Sequence, residues 1–221
     1  MSRILLAPME GLADELLRGV LTRIGGYDWG ICEFVRVSGN VLPVKTFERI
    51  CPELLNGSLT EAGTPMRVQL LGSDPYFMAE NARRLVSLKP AGVDLNFGCP
   101  VKKVAGKGAG AGLLRDIERM LKITTDVVNA VKLPVTVKTR LGWDEDNKII
   151  VDLAEQLQDC GIQALTIHGR TRAQMYKGDA DWTLIGEVKN NPRLRFHIIG
   201  KGDVTTPHRA AECFDLYGFD E

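Results

Sequence analysis

The sequence predicts an α/β protein: a TIM-type (β/α)8 barrel that is incomplete, with about seven βα units present. Short β-branched or apolar runs recur along the chain, and helical patterns alternate with them. The runs have a steady spacing, and no dinucleotide fingerprint follows the first of them. These features favour a barrel over a doubly wound open sheet. The runs are RILLA at 3–7, WGICEF at 29–34, MRVQLL at 66–71, GVDLN at 92–96, VTVK at 135–138, ALTIH at 164–168 and FHIIG at 196–200.

Helical periodicity is clearest in six segments that alternate with the runs. Asp181 and Thr206 are residue types that cap helix N-termini, and Pro207 suits the first helical position. An eighth strand should follow the helix that ends near Tyr217, so we expect one domain over residues 1–221, truncated before that strand. The helical segments are 14–24, 75–87, 117–131, 148–160, 181–190 and 207–217.

The composition is that of a globular domain, with 44% hydrophobic and 25% charged residues. Lys plus Arg and Asp plus Glu both number 28, so the net charge is zero. Zero net charge argues against a protein that grips nucleic acid with its whole surface, although a local basic patch remains compatible with it. No apolar run approaches the roughly 18 residues of a membrane span. The five cysteines include no C-x-x-C pair, which favours a reducing, cytoplasmic location without a disulfide framework or metal site.

Polar residues stand at the carboxyl ends of most runs, where barrel enzymes place their chemistry. Lys138 and His168 end apolar runs, and a polar group there is costly unless it faces a ligand. Cys99 lies in a Gly-Cys-Pro turn, an unusual place for a residue that only fills a core. The Gly-rich, basic segment 101–112 that follows is expected to be a mobile loop covering a site. The remaining strand-end residues are Pro8–Glu10, Glu33, Gln69, Asn96, Arg140, Arg170 and 200–203.

Six motifs along the chain resemble those of the tRNA-dihydrouridine synthase family. Among them, the NFGCP and HGRT-x-x-Q-x-Y segments are specific to that family. Up to VQLLG the chain resembles the synthase C subgroup, and from NFGCPVKKV onward it resembles the synthase B subgroup. The resemblance therefore leaves the target uridine open. The motifs are LLAPMEG at 5–11, VQLLG at 68–72, DLNFGCPVKKV at 94–104, VKTRLGW at 137–143, IHGRTRAQMYKG at 167–178 and IIGKGDVTT at 198–206.

The resemblance implies reduction of the C5=C6 bond of a tRNA uridine to 5,6-dihydrouridine, with FMN as cofactor and NADPH as reductant. Cys99 would be the general acid that gives a proton to C5. Lys138 would stabilise the anionic reduced ring of the flavin. No protein partner is implied. The further implied contacts are Pro8, Met9, Gln69, His168, Lys201, Gly202 and Asp203 to the cofactor, Asn96 and Arg140 to the uracil, and a basic rim of Lys102, Lys103, Lys107, Arg170 and Arg172 to RNA phosphates.

Two departures from the family pattern leave other functions open. Lys201 stands where the family usually has Asn, and the family continues with an eighth strand, a Gly-Arg phosphate motif and a helical tRNA-binding domain. One alternative is therefore a truncated remnant that binds FMN poorly and is weakly active or inactive. The other is a free-pyrimidine FMN oxidoreductase of the dihydroorotate dehydrogenase type, which shares the barrel, the cofactor and a proton-transfer residue.

Overall fold

The computed structural model describes residues 3–217, in which a parallel sheet curls into part of a barrel. The strand order is β1-β2-β4-β5-β6-β7-β8, and β3 pairs with β4 beside β2. Every predicted run contains a strand, which confirms the predicted incomplete (β/α)8 barrel. The strands are β1 Leu5–Leu6, β2 Trp29–Ile31, β3 Val35–Arg36, β4 Met66–Leu71, β5 Val93–Asn96, β6 Val135–Arg140, β7 Ala164–His168 and β8 His197–Lys201.

The six predicted helices form to within about two residues at each end, and α2 and α4 were not predicted. The Asp181 carboxylate accepts a hydrogen bond from the Leu184 N–H at 3.2 Å, and the Thr206 hydroxyl accepts one from the Arg209 N–H at 3.1 Å, so both predicted N-caps are confirmed. The helices are α1 Glu15–Ile24, α2 Val44–Ile50, α3 Pro75–Val86, α4 Lys102–Ala105, α5 Ile117–Ala130, α6 Ile150–Asp159, α7 Trp182–Lys189 and α8 Pro207–Tyr217. None of the helices within residues 3–217 is long and apolar enough to cross a membrane.

The second run was expected to form one strand, WGICEF, but it forms two. The ladder stops at the pair Ile31–Arg67 and resumes at the pair Val35–Leu70, three residues further along β4. At the break the Glu33 carboxylate accepts a hydrogen bond from the Gly11 N–H at 2.5 Å. The strand is therefore interrupted where the Glu33 side chain bonds to the loop after β1. The alternation of apolar residues in the sequence does not reveal this interruption.

The Gly-rich segment after Cys99 is not the loop expected from its composition. It forms α4 and a 3-10 turn at Gly110–Arg115, and Ala109 to Leu114 are buried. Gly110 has a φ of +55°, and a Cβ there would lie 2.9 Å from the Cys99 carbonyl oxygen. The glycines thus permit close packing against Cys99, where we had interpreted them as a sign of flexibility.

Side-chain alternation in β4–β7 separates an apolar outer face from a polar inner one. Alternate residues such as Val68, Leu95, Val137 and Ile167 join the core beneath the helices. Their neighbours point the other way and are mostly polar. This inner set comprises Gln69, Asp94, Asn96, Thr136, Lys138, Arg140, Thr166 and His168, all of them buried.

A fully buried Arg18 anchors α1 to the 3-10 turn at Pro52–Asn56. Its Nε and Nη2 donate to the Glu53 carboxylate at 2.6 and 2.8 Å, and its Nη1 donates to the Ala13 carbonyl at 2.7 Å. These bonds compensate the cost of removing both charges from water. The anchored helix holds the loop after β1 at the rim that carries the polar strand ends.

Candidate active site

The polar inner residues form two adjacent rows across the sheet, Asn96–Lys138–Thr166 and Arg140–His168–Lys201, because their strands pair in register. Asn96 of β5 pairs with Lys138 of β6, Arg140 of β6 pairs with His168 of β7, and His168 pairs with Lys201 of β8. Carboxyl ends of parallel strands meet at one edge of a sheet, so these side chains share one rim. The structure therefore brings together most of the residues predicted from the strand ends.

On the β4–β6 side of this rim, four side chains form what we call the amide network: Gln69, Asp94, Asn96 and Thr136. The Asp94 carboxylate accepts from Gln69 Nε2 at 2.7 Å and from Thr136 Oγ1 at 2.6 Å. Asn96 Nδ2 donates to Gln69 Oε1 at 2.8 Å. Burial raises the pKa of Asp94 to about 6, against the opposing effect of these hydrogen bonds and of the Lys138 charge.

The amide network ends on the backbone of Cys99. Asn96 Oδ1 accepts from the N–H groups of Gly98 at 3.1 Å and Cys99 at 2.9 Å. The amides of Gln69 and Asn96, expected to contact flavin and uracil, thus also bond within the protein. Their first observable role is to fix the turn that carries the thiol.

The Cys99 thiol is half-buried against Leu71, Val104 and Ala109. Burial raises the pKa of this thiol, while a backbone hydrogen bond from Val101 acts in the opposite direction. The thiol therefore holds its proton at neutral pH. This is the state that a proton donor needs, whereas a nucleophilic cysteine needs the thiolate.

On the β6–β8 side, four basic residues form the cationic cluster: Lys138, Arg140, Arg170 and Lys201. Burial, together with the charges of Lys201 and Arg140, lowers the pKa of Lys138 to about 7. Burial and the neighbouring arginines also lower the pKa of Lys201. Neither lysine forms an ion pair within residues 3–217. The cluster thus holds more positive charge than the described part of the chain balances.

His168 lies within the cationic cluster and is neutral. Burial lowers its pKa to about 2, and the charges of Lys138, Arg140, Lys201 and Arg170 act in the same direction. Its Nε2 lies 3.2 Å from Nη1 of Arg170. Because a guanidinium only donates hydrogen bonds, Nε2 is the acceptor and the imidazole proton lies on Nδ1. His168 therefore presents an N–H donor without adding a further positive charge.

Arg170 was expected on a basic rim for RNA phosphates, and in the structure its guanidinium bonds within the protein. The side chain is buried, and its Nη2 donates to Asp203 Oδ1 at 2.7 Å, to Oδ2 at 2.9 Å and to the Gly178 carbonyl at 2.6 Å. The Asp203 carboxylate also accepts from the Ala180 N–H at 2.7 Å. Arg170 lies beneath the surface because it ties the loop after β7 to the loop after β8. Lys102 and Lys103, by contrast, are exposed on α4.

Arg140 is also buried and bonds to three backbone carbonyls. Its Nε donates to Gly98 at 2.8 Å, and its Nη1 donates to Thr171 at 3.0 Å and Met175 at 2.7 Å. The guanidinium carbon lies 5.5 Å from the ring centre of the exposed Tyr176. Arg140 thus joins the Cys99 turn to the loop after β7.

Six of the eight predicted cofactor residues line two adjoining cavities beside β1 and β8, and Gln69 and His168 line neither. A cavity of about 60 Å³ contacts Pro8, Lys138 and Lys201, and one of about 400 Å³ contacts Met9, Lys201, Gly202 and Asp203. The Met9 carbonyl already accepts the N–H groups of Leu12 and Ala13, at 3.1 and 2.9 Å, where the chain turns toward α1. Lys201 is the charged side chain common to both cavities.

Position 202 requires glycine, because of its backbone conformation and its close contact with Ala180. Its φ is +133°, and a Cβ would lie 2.5 Å from the Cβ of Ala180. Its carbonyl oxygen accepts from the indole Nε1 of Trp182 at 2.8 Å. The loop after β8 is therefore held closely against the residues that precede α7.

Sequence reasoning missed several residues of this rim. Asp94 was not singled out, although a charged residue inside the apolar run GVDLN is an unusual feature that could have identified it. Trp143 was also missed; its indole lies beneath two guanidinium groups, with the Arg115 and Arg172 carbons 3.9 and 4.7 Å from the ring centre. The three side chains come from three different loops, so no local sequence pattern predicts that they contact one another.

Fold and site together define an enzyme of the parallel βα-barrel class, with its polar groups at the carboxyl ends of the strands. A sequence model of the dihydrouridine synthase family matches residues 5–221. The chain belongs to the dihydrouridine synthase family, as its relatives also indicate. It is 48% identical to the tRNA-dihydrouridine(16) synthase of Escherichia coli O157:H7, over 99% of this chain and 69% of that protein. It is 44% identical to that of Ralstonia nicotianae, over 100% of this chain and 68% of that protein.

Solved structures with low sequence identity share the fold. An old yellow enzyme homologue from Zymomonas mobilis superposes with a TM-score of 0.68 at 13% identity, covering 97% of this chain and 82% of that one. A structure of oxaloacetate acetylhydrolase superposes with a TM-score of 0.60 at 10% identity, covering 99% and 73%. These likenesses support the barrel architecture alone.

Proposed function

We propose that this protein is an FMN- and NADPH-dependent tRNA-dihydrouridine synthase that uses Cys99 as its general acid. We further propose uridine 16 as the target, since the similar relatives are named as tRNA-dihydrouridine(16) synthases. The observation that carries the proposal is the juxtaposition on one rim of a protonated thiol and an unbalanced cationic cluster.

The donor set of the cationic cluster fits FMN, whose phosphate and reduced ring are both anionic. Lys138, at the end of β6, would stabilise negative charge on the ring, and the neutral His168 would donate from Nδ1. Lys201 and the Gly202 backbone would hold the phosphate after β8. Asp203 would act through Arg170, because a carboxylate in direct contact with a phosphate would repel it.

Bound FMN, recharged by NADPH, would supply the two electrons and one of the two hydrogens that reduce the uridine C5=C6 bond. Cys99 would deliver the other hydrogen as a proton to C5, and its thiolate would recover a proton from solvent. The raised pKa of the thiol keeps that proton in place until the uracil arrives. Asn96 would orient this turn, and Arg140 would stabilise it while facing the uracil.

Basic and aromatic side chains next to the site support an RNA substrate. Lys102, Lys103 and Lys107 are exposed on the segment that follows Cys99. Arg115 and Arg172 lie over Trp143, and neither has a carboxylate partner among the described residues. Such cations suit phosphates. The target base must leave the RNA stack to reach a site at the strand ends, which favours a loosely stacked uridine.

The test compares two substrates with the purified protein, FMN and NADPH. Unmodified tRNA should gain one dihydrouridine, which mass spectrometry of nuclease fragments should locate at position 16. Free uracil and orotate should not be consumed measurably. Preferential turnover of the free pyrimidines would instead establish an oxidoreductase of the dihydroorotate dehydrogenase type, and dihydrouridine at another position would refute only the assignment to uridine 16.

A further inference from the structure

Asp94 is the buried titratable group of this rim that the proposed reaction does not use. It lines neither of the two cavities beside β1 and β8, and both of its carboxylate oxygens accept hydrogen bonds from protein side chains. It is fully buried on the inner face of β5, where it pairs with Thr136 two residues before the pair Asn96–Lys138. Its hydrogen bonds therefore orient the Gln69 and Thr136 side chains.

The amide network has only one consistent direction. Two backbone N–H groups, of Gly98 and Cys99, require an oxygen from Asn96, which turns Asn96 Nδ2 toward Gln69. Gln69 must then present Oε1 to Asn96 and Nε2 to the next residue. Gln69 Nε2 then needs an acceptor, and the Asp94 carboxylate is that acceptor.

An amide side chain has no preference between its two ends, so Gln69 alone would not hold this direction. A carboxylate accepts at both oxygens and excludes the reversed arrangement. Thr136 keeps the carboxylate in place from the other side by donating to its second oxygen. The network is therefore fixed at both ends, by Asp94 and by the backbone of the Cys99 turn.

We infer that Asp94 is a positioning residue, which sets the position of the Cys99 thiol through Gln69 and Asn96. An effect of Asp94 on turnover rests on the proposed function, in which Cys99 is the general acid. The geometric part concerns the thiol alone and is measurable without tRNA, flavin or NADPH.

The experiment measures the rate at which iodoacetamide alkylates each cysteine of the purified protein, by mass spectrometry of peptides. Asp94→Leu removes the acceptor, and Gln69→Met breaks the same chain one bond nearer to Cys99. Both should change the Cys99 rate by about fivefold or more, upward as the turn loosens. The half-buried Cys160, at the end of α6, serves as the internal control and should keep its rate.

Two further variants separate positioning from mere packing. Asp94→Asn should give a Cys99 rate between those of wild type and Asp94→Leu, because its oxygen can accept from Gln69 while its amide donates to the Thr136 hydroxyl, but an amide does not exclude the reversed arrangement. Thr136→Val removes a bond from the same carboxylate but leaves the chain to Cys99 intact, so it should change the Cys99 rate less than either chain-breaking variant does. If Asp94→Leu does not fold, Gln69→Met against Asp94→Asn gives the same comparison.

The inference is overturned if the Cys99 rate is unchanged in both chain-breaking variants, or if Asp94→Asn matches them. A protein that fails to reduce tRNA but passes the alkylation test would refute the proposed function and leave the positioning intact. A protein that reduces tRNA but fails the alkylation test would refute the positioning alone.

Discussion

The two halves of the strand-end rim handle buried polar groups in opposite ways. In the amide network, Asp94, Gln69 and Asn96 form hydrogen bonds with one another at 2.7 and 2.8 Å. In the cationic cluster, Lys138 and Lys201 face other cations, and the pKa of each lysine is lowered. Both sets are buried, so the contrast lies in the partners available to each.

We infer from this contrast that the first half positions other residues and that the second half binds a ligand. A polar network whose donors and acceptors match is complete before any ligand binds, and it keeps its residues in one arrangement. A buried group of like charges is unfavourable until an anion joins it, so binding the anion relieves a cost that the free protein carries. We therefore assign the orientation of Cys99 to the first half and cofactor binding to the second.

The largest expected effect comes from the residue on which the amide network ends. Cys99→Ala should lower tRNA turnover by about 100- to 10,000-fold, the range for loss of a general acid. Flavin reduction by NADPH should be unchanged, because the thiol acts only on the uracil. Stopped-flow absorbance of the flavin and a dihydrouridine assay measure the two half-reactions, and Cys160→Ala is the matched control. Equal losses in both half-reactions would show that Cys99 supports the flavin site instead.

The Arg170–Asp203 pair should contribute measurably to folding stability. Asp203→Asn leaves a buried guanidinium with a weaker partner, and we expect a loss of about 1.5–3 kcal/mol, as for hydrogen bonds to charged groups. The exposed pair Arg23–Glu61, with side-chain exposures of 70% and 81%, gives the control. Glu61→Gln should change stability by less than about 0.5 kcal/mol. Urea unfolding measures both, and equal effects would mean that burial of the Arg170 guanidinium has no energetic consequence.

Flavin affinity should fall by about tenfold between pH 7 and pH 9 if the cationic cluster binds FMN. The pKa of Lys138 is lowered to about 7 in the free protein, and an anionic ligand favours the charged lysine. Binding therefore takes up a proton above pH 7 and weakens as the pH rises. His168, whose pKa is about 2, stays neutral over this range, and the phosphate of FMN has already lost its second proton near pH 6.

Two variants identify the titrating group. Lys138→Met should bind FMN more weakly at pH 7 and with a flatter pH profile. Lys201→Met removes a charge that lowers the pKa of Lys138, so the midpoint of the profile should move to higher pH. Fluorescence titration of FMN measures each affinity, and a wild-type affinity independent of pH would contradict the assignment.

The smallest expected effect concerns the guanidinium groups over Trp143. Replacing both Arg115 and Arg172 with Gln should reduce the slope of log affinity for tRNA against log salt by about 1.4, that is, about 0.7 for each single-strand phosphate contact. Arg119→Gln is a matched control, since Arg119 lies one helical turn from Arg115 and already pairs with Asp116 at 3.1 Å. A slope that the double variant does not change would exclude these contacts.

The sequence predicted the barrel because strand and helix periods are local properties. Runs such as VTVK and ALTIH alternate apolar residues with polar ones, and their ends identify Lys138 and His168 without knowledge of the fold. The interrupted second run escaped prediction because Glu33 serves a loop 22 residues away. Long-range hydrogen bonds of this kind leave no periodic trace.

The sequence predicted which residues lie in the site. It did not predict the hydrogen bonds between them. Strand ends and motifs pointed to Gln69 and Asn96 but gave no indication that the two amides bond to each other. The pairing of the buried Arg170 with Asp203 joins residues 33 positions apart, so the sequence alone did not reveal that Arg170 bonds within the protein. These features depend on strand register, which sets which polar side chains become neighbours.

The central claim is that the cationic cluster is the binding site of an anionic flavin. Calorimetric titration of the purified protein with FMN, and in parallel with riboflavin, tests it most directly, because riboflavin lacks only the phosphate. We predict one FMN per chain, with riboflavin bound at least about tenfold more weakly, as expected when a charge-assisted phosphate contact is lost. No detectable FMN binding, or equal affinity for both flavins, would contradict the account.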